Sequence, residues 1–448
     1  MLESSIFSNI RSEDPDALAK IIPIAGDISF ADLGMSEEDQ KLLSANVSIV
    51  IHSAATVKFD EKLKSSVNTN VCGTQAIIKL CKKMEKLEAL IHVSTAYANC
   101  DQKQVPESIR PSVLEPEKII QCVNSLNDET VERITEVLIG NKPNTYTFTK
   151  ALAENLLEKE NGVLPICIVR PSIVTATYKD PLNGWVNNLN GPTGYIAAYG
   201  KGVLRTAWGH VEKIGDFIPL DYVVNMIVAA AWDVGTKKSE SITVYNCCTG
   251  PSNPMFWRDF ELWGPTAVKE NPFNDILWYP NTMSHHSWFW HKISDICFQY
   301  VPAYLMDVLS RCNGQKPKML KIYRKLNVAM TSFEYFTTRE WDFENYNMQA
   351  LYERMCPQDK ILFTLNLKEI NWPEYMKIYC LGVRKYILKE HPDTLPAARK
   401  HLRRMYWLDK SVKFFCILVL WYGIFRRSGR ALRLKALILY ILLKISSR

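Results

Sequence analysis

Four short apolar runs, at residues 47–52, 87–93, 164–169 and 242–247, each close on small or polar residues, and helical patterns separate them. Runs of that length, bounded in that way, read as strands buried on both faces; alternated with helices they build βαβ units, whose strands lie parallel. The run at 21–28, which ends in Ala25-Gly26-Asp27-Ile28, reads as one more short buried strand before a turn, with a helix at 36–43 after it. The fold class is therefore α/β, a doubly wound parallel sheet. Ligands of such sheets gather beyond the carboxyl ends of the strands. Asp27, Ala54, Ala55, Ser94 and Thr95 fall at those ends, and Arg170-Pro171-Ser172 cap the run at 164–169.

Near the same edge, Pro143-Asn144-Thr145-Tyr146-Thr147-Phe148-Thr149-Lys150 opens a helix. Tyr146 and Lys150 are four residues apart and share a helix face, so a phenol and an ammonium are neighbours. A fixed cation favours the phenolate and lowers a pKa whose ordinary value is about 10, which equips Tyr146 as a general acid. The spacing recurs at Tyr406/Lys410 and Tyr440/Lys444. Only the first pair has the Ser94-Thr95 strand end and the βαβ order around it.

A chain of 448 residues, 47% of them hydrophobic, has room for a large α/β domain and a second unit. The strand–helix alternation stops near residue 255 and aromatic-rich helical segments follow, giving expected units at 1–255, 256–395 and 396–448. A polar, helix-rich excursion occupies 101–140, and the glycine-bearing stretches 184–192 and 194–202 read as loops over the substrate. Residues 288–309 are nearly apolar but carry Lys292, Asp295 and Asp307, so an interfacial or tunnel-lining helix is expected there in preference to a membrane span.

From Arg399 to Arg448 thirteen Lys and Arg stand against one acid, Asp409, so the rest of a chain with formal net charge +7 is acidic. The tail's cations flank apolar runs at 412–425 and 436–445, each shorter than the roughly 20 residues of a straight span. Anionic membrane lipid, not nucleic acid, is the expected partner, through a shallow hairpin or interfacial anchor, with one tilted transmembrane span as the alternative. Twelve scattered cysteines without a Cys-x-x-Cys pair, and a polar stretch at 1–16 in place of a secretory signal, indicate reduced thiols facing the cytosol. His285, His286 and His291 come without a thiol or carboxylate ligand set, so no metal is expected.

With these pieces in place the sequence resembles the extended short-chain dehydrogenase/reductases and, among them, the fatty acyl-CoA reductases. The resemblance covers almost all of residues 5–392. It rests on Ile24-Ala25-Gly26-Asp27, His52-Ser53-Ala54-Ala55-Thr56-Val57, Asn70-Val71-Cys72-Gly73-Thr74, His92-Val93-Ser94-Thr95-Ala96-Tyr97, the Tyr146 stretch, Val169-Arg170-Pro171-Ser172 and Gly184-Trp185. It continues through Phe336-Thr337-Thr338-Arg339-Glu340-Trp341 and Gly382-Val383-Arg384-Lys385-Tyr386. The resemblance implies a Rossmann-like domain followed by a mainly helical one. It also implies NADPH-dependent, four-electron reduction of a long-chain acyl-CoA to a fatty alcohol through a hemithioacetal and an aldehyde. Tyr146 would then protonate the developing oxyanion, Thr95, or Ser94 as second choice, would hydrogen-bond the same oxygen, and Lys150 would hold the nicotinamide ribose. Asp27, Ile28, Ala54, Ala55, Asn70, Arg170 and Pro171 would line the cofactor. The residues alone leave Asp27 as a turn end equally open, and Asn70 as a group that orients the catalytic residues or as a helix cap. The implied setting is the cytosolic face of the endoplasmic reticulum or peroxisome membrane.

The resemblance departs at the amino end. Such enzymes open with a Thr-Gly-x-x-Gly-x-x-Gly turn that cradles a pyrophosphate, whereas the first glycine here is Gly26, in what reads as the third strand. The expectation is an N-terminally truncated Rossmann-like sheet, its first two strands missing, whose strands at 21–28 and 47–52 have unpaired edges and which binds NADPH poorly. Two other readings stay open. One is a catalytically inactive, membrane-bound lipid-binding homologue, favoured by the absent glycine-rich turn and opposed by Thr95, Tyr146 and Lys150. The other is a sterol or sugar dehydrogenase of the same superfamily, which leaves residues 330–390 unexplained.

Overall fold

The computed structural model describes residues 2–237 and 241–426. The four apolar runs form one parallel sheet in chain order: β1 (Ile49–His52), β2 (Ala89–Val93), β3 (Ile166–Pro171) and β4 (Thr243–Cys247). Ile49 lies opposite Ala89, Leu90 opposite Ile166 and Cys167 opposite Thr243. Side chains alternate across this sheet as the pleat requires. Leu90, Ile166, Ile168 and Val244 point to one face, where they meet α1 (Gly73–Cys81), the π-helical turn Val67–Cys72 before it, and α2 (Thr145–Glu158) through Val71, Ile78, Phe148 and Leu152. Ala89, Ile91, Cys167, Val169 and Tyr245 point to the other, against α3 (Pro192–Gly200) and α4 (Leu220–Lys237) through Ile196, Tyr199, Met226 and Ala230. With helices on both faces of a parallel sheet, the architecture is Rossmann-like.

Two expectations are corrected. Residues 21–28 form no strand: no described strand pairs with them, and only Ile24 and Ile28 are half-buried. β1 itself is an edge among the described residues, with Ile49 and Ile51 exposed, as expected of an unpaired strand. The stretch 194–202 is not a loop, because Pro192 presets the first turn of α3 and the glycines serve packing. A Cβ on Gly200 would sit 2.3 Å from the Phe273 ring, and one on Gly194 2.4 Å from the Leu189 carbonyl oxygen.

Beyond residue 255 come α5 (Trp257–Glu270), α6 (Trp288–Asp295), α7 (Val301–Cys312), α8 (Met319–Thr337), α9 (Trp372–Gly382) and α10 (Leu395–Arg426). This region shares the sheet's core: Trp372, Tyr375, Met376 and Tyr379 of α9 belong to the same apolar cluster as Ile91 and Val169. The strand Asp342–Phe343 also pairs with Gln104–Val105, joining the excursion at 101–140 to the helical part. The tail run at 412–425 continues α10, while the run at 436–445 lies outside the described residues. No described helix is long and apolar enough to cross a membrane.

Candidate active site

The site begins with a helix cap. The Asn144 side chain accepts the Thr147 N–H at 2.9 Å, starting α2 so that Tyr146 lies in its first turn. One turn on, Lys150 reaches back to the end of β2 and donates to the Val93 carbonyl oxygen at 2.8 Å. Asn70 fixes the loop after β1 to this helix. Its Oδ1 accepts from the Thr56 N–H at 2.9 Å, and its Nδ2 donates to the Thr56 carbonyl at 3.2 Å and to the Thr149 hydroxyl at 3.0 Å. Of the two roles open to Asn70, the structure has it orienting groups around the catalytic helix and not capping one.

Tyr146 and Thr95 open onto a cavity of about 750 Å³. Its wall is otherwise dominated by apolar groups, with Trp257 and Phe260 of α5, Tyr195 of α3, and Val328, Phe333 and Phe336 of α8. The Tyr146 ring stacks on Phe59 at 5.7 Å between centroids. The depression of its pKa expected from Lys150 is not found. Burial pushes the phenol up to about 12, and contact with the Thr95 hydroxyl is the opposing influence. Removal from water dominates here, and burial also pushes Lys150 down to about 8 against the attraction of Glu154. Tyr146 is thus a proton-bearing donor at neutral pH. Thr95 donates only a long bond to the Pro171 carbonyl, 3.4 Å, and accepts one from the Tyr97 N–H at 3.3 Å.

Ser94 and Arg170 are placed differently. Arg170 is wholly buried and bidentate on Glu154, Nε to Oε1 at 2.9 Å and Nη2 to Oε2 at 2.6 Å, and it also donates to the carbonyls of Pro106 and Ser108. The Ser94 hydroxyl donates to the same Glu154 at 2.5 Å. Neither side chain lines the cavity. Four of the five N–H groups of this guanidinium are engaged in this way. Asp27 closes a turn, accepting from the N–H and hydroxyl of Ser29 at 2.9 and 2.7 Å, with its carboxyl group exposed and held below the usual range by those bonds. Ile28 packs on α1, where a Cβ on Gly73 would lie 2.4 Å from it.

Several residues of the site carry no signal in the sequence. Phe59, and Val328 and Phe333 of α8, belong to no motif; they join Tyr146 around the cavity only through the fold. His52 and His92, whose rings lie 5.0 Å apart, are buried near Lys150. Burial, seconded by Lys150, lowers both, His52 to about 4. Among the described residues no cluster of His, Cys, Asp and Glu is placed to hold a metal.

A nicotinamide cofactor fits the residues at this edge by their chemistry. Lys150 spends one of its three N–H groups on Val93, Tyr146 and Thr95 add hydroxyls, and Ala54, exposed, and Ala55, half-buried, present no bulk beyond Cβ at the end of β1. A Rossmann-like sheet with Thr95, Tyr146 and Lys150 at its carboxyl edge defines an oxidoreductase of the extended short-chain dehydrogenase/reductase class. Within that class the chain belongs to the fatty acyl-CoA reductases. An NAD-binding family model described as male sterility protein matches residues 1–227, and a second with the same description matches 298–390. The chain is 40% identical over 435 residues to fatty acyl-CoA reductase 1 of Xenopus laevis, covering 96% of this chain and 84% of that protein. It is 39% identical to the human protein of the same name and 38% identical to fatty acyl-CoA reductase 2 of Mus musculus, with the same coverage. The terminal R domain from the myxalamid PKS-NRPS biosynthetic pathway shares the fold, with a TM-score of 0.51 at 19% identity over 84% of this chain and 78% of that one.

Proposed function

We propose that the protein reduces a long-chain acyl-CoA to the primary alcohol and CoA, consuming two NADPH and two protons. The observation that carries this reading is the placement of a proton-bearing Tyr146 and a Thr95 hydroxyl in the wall of a large, mainly apolar cavity. An acyl chain fills such a cavity by the hydrophobic effect. The thioester carbonyl then lies against the two hydroxyls. The bound cofactor supplies hydride to the carbonyl carbon. As charge develops on the oxygen, Tyr146 gives up its proton and Thr95 turns its O–H from Pro171 to the same oxygen, the stabilisation such a step needs. The resulting hemithioacetal breaks its C–S bond, CoA leaves as the thiol, and the aldehyde meets the same two hydroxyls in a second reduction. Lys150 holds the cofactor's ribose beside Tyr146.

The proposed setting is the cytosolic face of an endoplasmic reticulum or peroxisome membrane, supported by the basic and apolar composition of the tail. The test is direct: the full chain is incubated with palmitoyl- or stearoyl-CoA and either NADPH or NADH. Fatty alcohol formed with NADPH in preference to NADH is expected. Binding of acyl-CoA without turnover would mark an inactive lipid-binding homologue.

The charge of Lys150 gives this reading a pH signature. Its folded-state pKa of about 8 lies below the ordinary lysine value, so the ammonium predominates near neutral pH and is lost as pH rises through the pKa. We expect kcat/KM to be level from pH 6.5 to 7.5 and to fall above pH 8. Lys150→Arg, which keeps its charge at any such pH, removes that fall at a reduced plateau. A wild-type profile still level at pH 9.5 removes the Lys150 charge from the mechanism.

A further inference from the structure

One part of the molecule is built inside out. Along α6, the π-helical turn Ile296–Tyr300 and α7, the buried positions are His291, Ser294, Asp295, Gln299, Ala303 and Asp307. That stripe is almost entirely polar, and it is satisfied from within. His291 Nδ1 pairs with the Thr206 hydroxyl at 3.1 Å, and Gln299 accepts the Arg205 N–H at 3.0 Å and donates to Asp295. Asp307 accepts three backbone N–H groups, those of Lys318, Met319 and Leu320, at the start of α8. The opposite stripe is aromatic and aliphatic and faces outward: Phe289 is 60% exposed, Trp290 59%, Ile296 56%, Leu305 56% and Leu309 63%. A helix in water has the reverse arrangement, and apolar patches this continuous mark an interaction surface.

We infer that this face docks on the surface of an anionic lipid bilayer. Charge decides among the occupants. Along α6, α7 and α8 the acids are Asp295 and Asp307, both buried, and the half-buried Glu334, which is paired electrostatically with Lys292. The exposed charges bordering the apolar stripe, Arg311, Lys316, Lys318, Lys321, Arg324 and Lys325, are all cationic. A second copy would bring the same cations against them, and the chain's own residues 427–448 contain Arg and Lys but no acid. Phosphate-bearing lipid headgroups satisfy the cations while the aromatics enter the boundary with the acyl chains. Because Arg324, Lys325 and Val328 also line the cavity, docking sets its mouth against the membrane. The bilayer contact itself does not depend on the reductase reading, since it is measured without substrate or cofactor.

The test is co-sedimentation of the full chain with phosphatidylcholine vesicles, with and without phosphatidylserine. Binding is expected to favour phosphatidylserine and to weaken with salt. The triple variant Trp288→Ser/Phe289→Ser/Trp290→Ser and the charge reversal Arg311→Glu/Lys316→Glu/Lys318→Glu each weaken it roughly tenfold or more. Both keep the wild-type melting temperature, because every altered side chain is exposed. Three results overturn the inference: binding indifferent to phosphatidylserine; binding unchanged in both variants but lost in Phe414→Ser/Phe415→Ser on α10; or a dimer in solution that the aromatic variant dissociates, which makes the occupant a second copy.

Discussion

Tyr146→Phe is expected to lower kcat for alcohol formation by about 10²–10⁴-fold, the range typical of a lost general acid, while leaving the melting temperature where it was. The ring stays. Its stack on Phe59 survives the loss of one oxygen, and the Thr95 hydroxyl that touches the phenol keeps its bonds to Pro171 and Tyr97. What disappears is the proton. The phenol, pushed up to about 12 by burial, carries that proton throughout the physiological range, and no neighbouring group replaces it: Lys150 points to Val93 and Ser94 to Glu154. Thr95→Val removes a hydrogen bond and not a proton, so its effect on kcat is the smaller of the two. Steady-state rates of alcohol formation beside thermal melts decide this. An active Tyr146→Phe would move the proton donor elsewhere in the cavity.

The second large effect concerns stability. Glu154→Ala leaves the guanidinium of Arg170, 0% exposed, without its counter-ion, and breaking one side of such a buried pair costs about 3–5 kcal/mol. Arg170→Met strands the Glu154 carboxylate in the same way and frees the carbonyls of Pro106 and Ser108 as well. Replacing both together, Glu154→Leu with Arg170→Met, restores part of what either single change loses, since the two charges of the pair leave together while Lys150 still loses the attraction of Glu154. Denaturant midpoints of the three variants test this. The pair also separates two roles for Arg170. If it were a cofactor ligand, Arg170→Met would raise KM for NADPH with the unfolding midpoint unmoved; as a structural cation it moves the midpoint first.

Arg170 shows where reading the sequence stops. The four apolar runs and the helix opened by the 143–150 stretch are local patterns, set by the periodicities of strand and helix, and each became the element expected of it. The direction of a side chain at a strand end is not local. Arg170 follows a buried run like any cap residue, and only the approach of Glu154, sixteen positions earlier, decides that it turns inward. Tyr146 failed differently: the spacing put Lys150 one turn on, but that side chain turns to Val93, and the pKa depends on how much water the cavity wall removes, which no spacing encodes. The run at 21–28 had the composition of a strand and lacked only a neighbour, because pairing belongs to the sheet and not to the segment. The glycines of α3 misled because a glycine chosen for close packing against Phe273 looks in a sequence like one chosen for freedom. Residues 288–309 were legible as helix. Which side faces out needed the fold, since the burial of its polar stripe is the reverse of the usual rule.

The central claim is that one site performs both reductions of a thioester. Its most direct measurement is stoichiometry: the full chain is given a long-chain acyl-CoA and excess NADPH, and oxidised cofactor, free CoA thiol and fatty alcohol are counted together. The account predicts two NADPH oxidised and one thiol released for each alcohol formed, with all three abolished in Tyr146→Phe. Alcohol oxidation or sugar epimerisation in place of thiol release, or one NADPH per thiol with the aldehyde as final product, would contradict it.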